Sequence, residues 1–189
     1  RQHPNQHLWP RQTLTLTTTS LSSLQPTKGA RTRLGVYNMK KLIIGCDPDV
    51  DGKGFAIYED GVLIALKAYS LIELFEYIQD LTCVWFTEGI ELHIEDLNGN
   101  KSSSFNHNEK QSKQVQNKIS ESVGRCKQMQ LEVEKIAEHF DIKIVRYPVS
   151  SQWKNSAGKK EFERLTGWKG RSNEDTRSAA YFGYLGTIN

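Results

Sequence analysis

The stretch "LIIGCDPDVDGKGFAI", residues 42–57, decides how this chain is read. Leu42, Ile43, Ile44, Gly45 and Cys46 form a continuous apolar run, the pattern of a strand buried on both faces. The run ends on Asp47, and Asp49 and Asp51 follow within four residues. A carboxylate at the end of a buried strand costs desolvation free energy unless something compensates it. A turn, a phosphate-binding loop and a metal site are the candidates. Gly52 and Gly54 would let the turn into the next strand pass close to Asp47.

Outward from this stretch the pattern is mixed α/β. Gly54–Tyr58 and Val62–Tyr69 read as a second and a third strand, joined by Asp60-Gly61. That dipeptide favours the positive φ angles of a two-residue hairpin. Ser70-Leu71-Ile72-Glu73 fits a capping box opening a helix with Ile72, Phe75 and Ile78 at helical spacing. Ile90–Leu97 is a fourth strand, with Ile90, Leu92 and Ile94 on one face and Glu91, His93 and Glu95 on the other. After the polar stretch "NGNKSSSFNHNEKQSK", Val115, Ile119, Val123, Cys126, Val133, Ile136 and Phe140 mark a long helix. Ile142–Tyr147 is a fifth strand, and 159–167 and 173–185 are helices. The order β-β-β-α-β-α-β-α-α predicts an antiparallel meander followed by parallel strands with helical crossovers.

The 189 residues suffice for one domain with a real core, and no apolar run reaches the roughly 20 residues of a membrane helix. Cys46, Cys83 and Cys126 are few and odd in number, and are read as reduced thiols in a cytoplasmic protein. Residues 1–38 hold five basic residues and no acid, and they are rich in Ser and Thr. Such a composition overlaps that of transit peptides, although Met39 looks like a natural start. The division expected is a disordered extension, 1–38, and one domain, 39–189. Charge within the domain is segregated. Residues 39–100 carry twelve acids against four bases, whereas 101–127 and 143–177 are basic. An acidic centre flanked by polyanion-binding segments accounts for this, and so does unevenly distributed solvated charge.

The carboxylates carry the chemistry. Asp47 ends the first strand and Glu95 the fourth. If these strands are parallel neighbours, both acids lie at the sheet edge where α/β folds place their sites. Asp175, in "SNEDTRSAAYFGY", falls in the first turn of the last helix. Ala179, Ala180 and Gly183 would let that helix approach the sheet. Convergent carboxylates repel one another, and a divalent cation is the usual compensation. Oxygen ligands favour Mg²⁺ or Mn²⁺ over zinc. Other roles stay open for each residue. Asp47 is equally a turn residue, Glu95 a solvent-facing strand residue as Glu91 is expected to be, and Asp175 a helix N-terminal charge. His93 reads as structural or as a support for Glu95. Trp153 and Trp168 read as packing or as stacking platforms for bases.

In order, "IIGCDPDVDGKGFAIYEDG", "IELHIEDL", "SESVGRCKQMQLEVEKIAEHFDIKIVRYPVSSQWK" and "NEDTRSAAYFGYLG" resemble successive segments of RuvC-like Holliday-junction resolvases, of the ribonuclease H-like superfamily. The resemblance covers roughly residues 40 to 186, by element order and carboxylate placement together. It implies a ribonuclease H-like five-stranded mixed sheet flanked by helices, and a Mg²⁺-dependent endonuclease acting as a homodimer on branched DNA, the four-way junction. It matches Asp47, Glu95 and Asp175 to the family's metal-binding acids, and Lys154 with Lys159 or Lys160 to its basic residues near the scissile phosphate. Two positions depart from the pattern. Asp49 follows Pro48 where glycine is common. The second acid of the last helix is missing or supplied by Glu174, because Ser178 and Arg177 occupy the places three residues beyond Asp175 and Glu174.

On this reading Lys101, Lys110, Lys113, Lys169 and Arg171 contact DNA phosphates, and Phe105 inserts near the crossover. The long helix offers Gln116, Lys127, Gln130 and Glu134 to a second copy. Three competing readings are a ribonuclease H-like nuclease for hybrid or flap substrates, a non-catalytic DNA-binding module of the same fold, and an actin-like nucleotide-binding protein. The last usually needs a duplicated domain.

Overall fold

Asp60 and Gly61 adopt φ angles of 48° and 82°, the paired positive values of a type I′ hairpin, and so close the antiparallel pair on either side of them. The computed structural model describes residues 41–49, 54–84, 87–99 and 112–188. These belong to the unit Asn38–Asn189. The expected disorder of 1–38, the turn residues Asp51 and Gly52, and Lys101, Phe105 and Lys110 lie outside the described residues. The elements are β1 (Leu42–Asp47), β2 (Gly54–Glu59), β3 (Val62–Ala68), α1 (Leu71–Val84), a 3-10 turn (Thr87–Gly89), β4 (Ile90–Asp96), α2 (Lys113–His139), β5 (Lys143–Pro148), α3 (Ser156–Thr166) and α4 (Glu174–Thr187).

The strands form one sheet in the order β3-β2-β1-β4-β5. β1 and β2 are antiparallel, as are β2 and β3, whereas β1–β4 and β4–β5 are parallel. This is the mixed five-stranded sheet predicted, a meander plus two parallel strands, flanked by helices. The Ser70–Glu73 capping box is present: the Ser70 amide donates to Glu73 Oε2 at 2.7 Å and the Glu73 amide to Ser70 Oγ at 3.2 Å. Strand alternation splits the core. Leu42, Ile44, Cys46, Leu92 and Ile94 face α1 and α2, where they meet Leu74, Ile78, Val133 and Ala137. Ile43, Ala56 and Tyr58 face α3 and α4, where they meet Trp153, Phe162, Ala179 and Ala180.

Small residues seat α4 on the sheet, as expected from Ala179, Ala180 and Gly183. A Cβ on Gly45 would lie 2.1 Å from the Ala179 carbonyl oxygen and 2.7 Å from the Gly183 nitrogen. Helix backbone therefore rests directly on strand backbone. The Tyr58 hydroxyl locks the contact by donating to the Ala180 carbonyl at 2.8 Å.

The apolar stripe of α2 does not cover the sheet along its whole length, since Val115 and Ile119 are exposed. The reason is length: 27 residues of helix extend roughly 40 Å, about twice a six-residue strand. Gln130 and Glu134 are not available to a second copy either, because both are buried. Gln130 Oε1 accepts from the Leu97 and Asn98 amides at 2.8 and 3.1 Å, and its Nε2 donates to Glu134 Oε1 at 2.8 Å. Arg146 of β5 donates to both Glu134 oxygens. Of the thiols, Cys46 is buried, Cys126 half-buried and Cys83 exposed, and none is in a disulfide. Among the described residues no helix is long and apolar enough to cross a membrane.

The amino edge of the parallel strands carries a charge cluster. Glu91 is not the solvent-facing acid expected. It pairs with Lys143 at 2.7 Å, His93 at 2.9 Å and Lys41 at 3.0 Å. Burial opposes its charge, but hydrogen bonds from Lys143, His93 and Lys41 outweigh this and lower its pKa to about 2. A depressed carboxylate stabilises the fold above its ordinary pKa, and that contribution is lost as pH falls through the folded value. Both lysines are largely in solvent, which screens the pairs. Glu91→Gln is therefore expected to cost about 1–2 kcal/mol at pH 7, with the gap to the parent shrinking between pH 4.5 and 2. Urea melts across that range check this; a gap independent of pH would contradict it.

Candidate active site

Parallel pairing sets Cys46 opposite Ile94. The next residue of each strand is an acid, so Asp47 and Glu95 leave the carboxyl ends of β1 and β4 side by side. Alternation turns both toward the α4 face, away from the core that Cys46 and Ile94 share with α2. Their exposures are only 4% and 3%, which excludes a solvated-acid role for either.

Glu95 Oε1 accepts the Ser150 amide at 2.9 Å. Burial, and then the neighbouring Asp47 carboxylate, push the Glu95 pKa up to about 7, against the opposing pull of the Ser150 amide and the Lys154 ammonium. Asp47 Oδ2 lies 3.1 Å from Lys154 Nζ. The ammonium pairs in charge with this buried oxygen, which has no aligned hydrogen-bond donor among the described residues. Burial works against the charge on Lys154, yet Asp47 and Glu95 together hold its pKa above the ordinary value.

Asp175 stands at the same edge. Asn173 caps α4 in a reciprocal box with Thr176 and places Glu174 and Asp175 in the first turn. Asp47 pairs with Gly54 across the antiparallel ladder. A Cβ on Gly54 would lie 2.1 Å from the Asp175 carbonyl oxygen, so the first turn of α4 rests on the residue opposite Asp47. Gly54 was expected to let the turn pass close to Asp47; the approach its missing side chain permits is instead that of α4. The Asp175 pKa is raised, first by burial and then by Asp47 and Asp49. Among the described residues no three His, Cys, Asp or Glu side chains stand together as a set able to hold a metal. The close acids are the pair Asp47 and Glu95, with the charge of Asp47 acting on Asp175.

Lys159 and Lys160 are exposed in the first turn of α3, and Lys159 Nζ lies 3.8 Å from Glu163. Lys169 and Arg171 are exposed between α3 and α4, Glu174 is exposed beside Asp175, and Lys113 is exposed at the start of α2. His93 does not support Glu95: its ring nitrogens face Tyr147 Oη and Glu91, each at 2.9 Å. Trp153 is buried among Phe162, Tyr181 and Tyr184, and Trp168 packs at the edge of that core. Burial removes Trp153 as a stacking platform.

Three contributors escape a reading of the sequence. The Ser150 amide is backbone and leaves no residue signature. Asp49 reads as a turn former, yet its charge reaches Asp175. Arg177 is buried, and its guanidinium donates to the carbonyls of Trp153 and Lys154. Its only trace in the sequence is an arginine among the small residues of a buried helix face.

No family model matches the chain, and no curated protein matches it. Among solved structures it is similar to T. thermophilus RuvC in complex with Holliday junction substrate, at 11% identity over 78% of this chain and 94% of that chain, with a TM-score of 0.49. It is also similar to a Thermus thermophilus RuvC structure, at 11% identity over 78% and 96% of the two chains, with a TM-score of 0.47.

Proposed function

We propose that the chain is a divalent-metal-dependent endodeoxyribonuclease that cleaves branched DNA, the four-way junction in particular, as a homodimer. The observation that carries the reading is the buried, adjacent pair Asp47 and Glu95, with Asp47 Oδ2 given no aligned hydrogen-bond donor among the described residues. Two adjacent buried carboxylates offset by one lysine form an anionic pocket that calls for further positive charge. The donors are all oxygen, which fits Mg²⁺ or Mn²⁺. Asp47 and Glu95 would hold the ion, with Asp175 and Glu174 as further acids at the start of α4. A bound ion would polarise the phosphodiester and lower the pKa of an attacking water.

The chain's own residues supply the rest. Lys154 neutralises Asp47 in the free protein and would offset charge developing on the phosphate. Lys159, Lys160, Lys169 and Arg171, on α3 and in the loop after it, would meet the DNA backbone. They are exposed, as phosphate contacts must be. Lys113, with Lys101, Lys110 and Phe105, would extend this surface to the junction arms. The resemblance of the chain's segments to RuvC-like resolvases supports branched DNA as substrate. The amino-terminal half of α2, with Val115 and Ile119 exposed, is the surface we assign to a two-fold partner.

Incubation with junction, flap, hybrid and duplex substrates, with Mg²⁺, with Mn²⁺ and with chelator, tests the reading. Metal-dependent nicking of the junction is expected. A chain that binds junctions but never cuts them is the non-catalytic module, a reading favoured by Ser178 standing three residues beyond Asp175, where the resemblance calls for a second acid. Light scattering that finds a monomer both free and on a junction would rule out the symmetric mechanism.

A further inference from the structure

Lys154 reaches Asp47 from the turn between β5 and α3. A lysine stem has four rotatable bonds, so its ammonium is held in place only if its backbone is. Three features hold that backbone. Arg177 Nε donates to the Trp153 carbonyl at 2.8 Å, Nη2 to the Lys154 carbonyl at 2.6 Å and Nη1 to the Ser172 carbonyl at 3.4 Å. Trp153 has φ 61°, a left-handed conformation that is costly for a bulky residue. Gly158 of α3 presses on the turn from the other side, where a Cβ would lie 2.5 Å from Trp153 Cα.

Arg177 is buried, and among the described residues its partners are all backbone carbonyls. Burying a guanidinium to bind carbonyls is an expensive way to hold a loop. A strained residue beside a site persists only where its surroundings over-determine it. Through Ser172 the same guanidinium also grips the residue before the Asn173 cap, and so the entry to the Asp175 turn.

We infer that Arg177 is a positioning residue: it latches the Trp153–Lys154 turn to α4 and thereby sets Lys154 against the Asp47–Glu95 pair. The inference rests on the nuclease reading for the role of Lys154, but the latch itself is a property of the fold.

The test is a double-mutant cycle on the full chain, with hydrogen exchange alongside. Arg177→Gln is expected to lower the junction-nicking rate by about 10- to 100-fold, the scale of a displaced catalytic group, while junction affinity changes less than about threefold. On a Lys154→Ala background the same change is expected to cost less than about twofold, because the group it positions is already gone. Amide exchange in residues 151–155 is expected to speed up in metal-free protein, while β1 and β4 keep their protection. If Arg177→Gln fails to fold, Gly158→Ala pushes the same turn from α3 with Arg177 intact, and the same selective loss and local exchange are expected. Additive losses in the cycle, or unchanged exchange at 151–155, would overturn the inference. A parent chain that never nicks would sink the nuclease reading alone, with exchange still deciding the latch.

Discussion

Replacing Asp47 with asparagine is expected to reduce junction nicking by about a thousandfold or more while leaving junction affinity within about threefold. The substitution keeps shape and volume, so the packing of β1 against Gly54 and α4 stays intact. What it removes is the charge of a buried oxygen that has no aligned hydrogen-bond donor among the described residues. An amide there is a poor ligand for a hard cation and leaves Lys154 without the partner 3.1 Å away. Affinity is spared because an acid adds nothing to the attraction for a polyanion; its loss, if anything, lessens repulsion. Single-turnover nicking, with binding measured in chelator, separates the two quantities. A variant that nicks within tenfold of the parent would remove Asp47 from the chemistry.

Glu95→Gln is expected to abolish nicking as well, yet to make the metal-free protein more stable. The Glu95 pKa is raised to about 7, first by burial and then by Asp47. A carboxyl raised in the folded state favours folding while it is protonated. Its contribution is complete below the ordinary carboxylate pKa and is lost as pH rises through the folded value. Glutamine mimics the protonated form at every pH. The variant should therefore match the parent near pH 4.5 and exceed it by about 1–3 kcal/mol at pH 8 in chelator. Mg²⁺ should narrow the gap, because a cation bound by the native state alone stabilises the parent. Urea melts at the two pH values decide the matter, and a gap that does not grow with pH would contradict the account. Stability given up for a charged site is a common exchange in enzymes.

The fold was legible because its signals are local. Asp60-Gly61, the Ser70–Glu73 box and the apolar run of β1 each act within a few residues, and all appear where expected. The adjacency of Asp47 and Glu95 was legible too, since two parallel strands ending on an acid put those acids at one edge. The partners of α2 were not. Helical periodicity shows which residues share a face but not where along 27 residues the neighbouring sheet stops. It also cannot show that Arg146 arrives from β5 to draw Glu134 inward. Arg177 was hidden for the same reason: its partners are carbonyl oxygens, which every residue has.

The seam between Gly45 and α4 bears on when the site comes into being. It joins the first strand of the domain to the last helix; Tyr58 and Ala180, bonded across it, are 122 residues apart in the chain. Contacts of such separation pay a large loop-closure entropy and form late. During synthesis β1 and β4 leave the ribosome well before α4, so a nascent chain can bring Asp47 and Glu95 into register without Asp175 or the Arg177 latch. The acidic edge is completed only when the final helix docks. Docking of α4 thus acts as an assembly checkpoint, and premature termination between residues 96 and 173 yields a chain with both strand acids but no finished site.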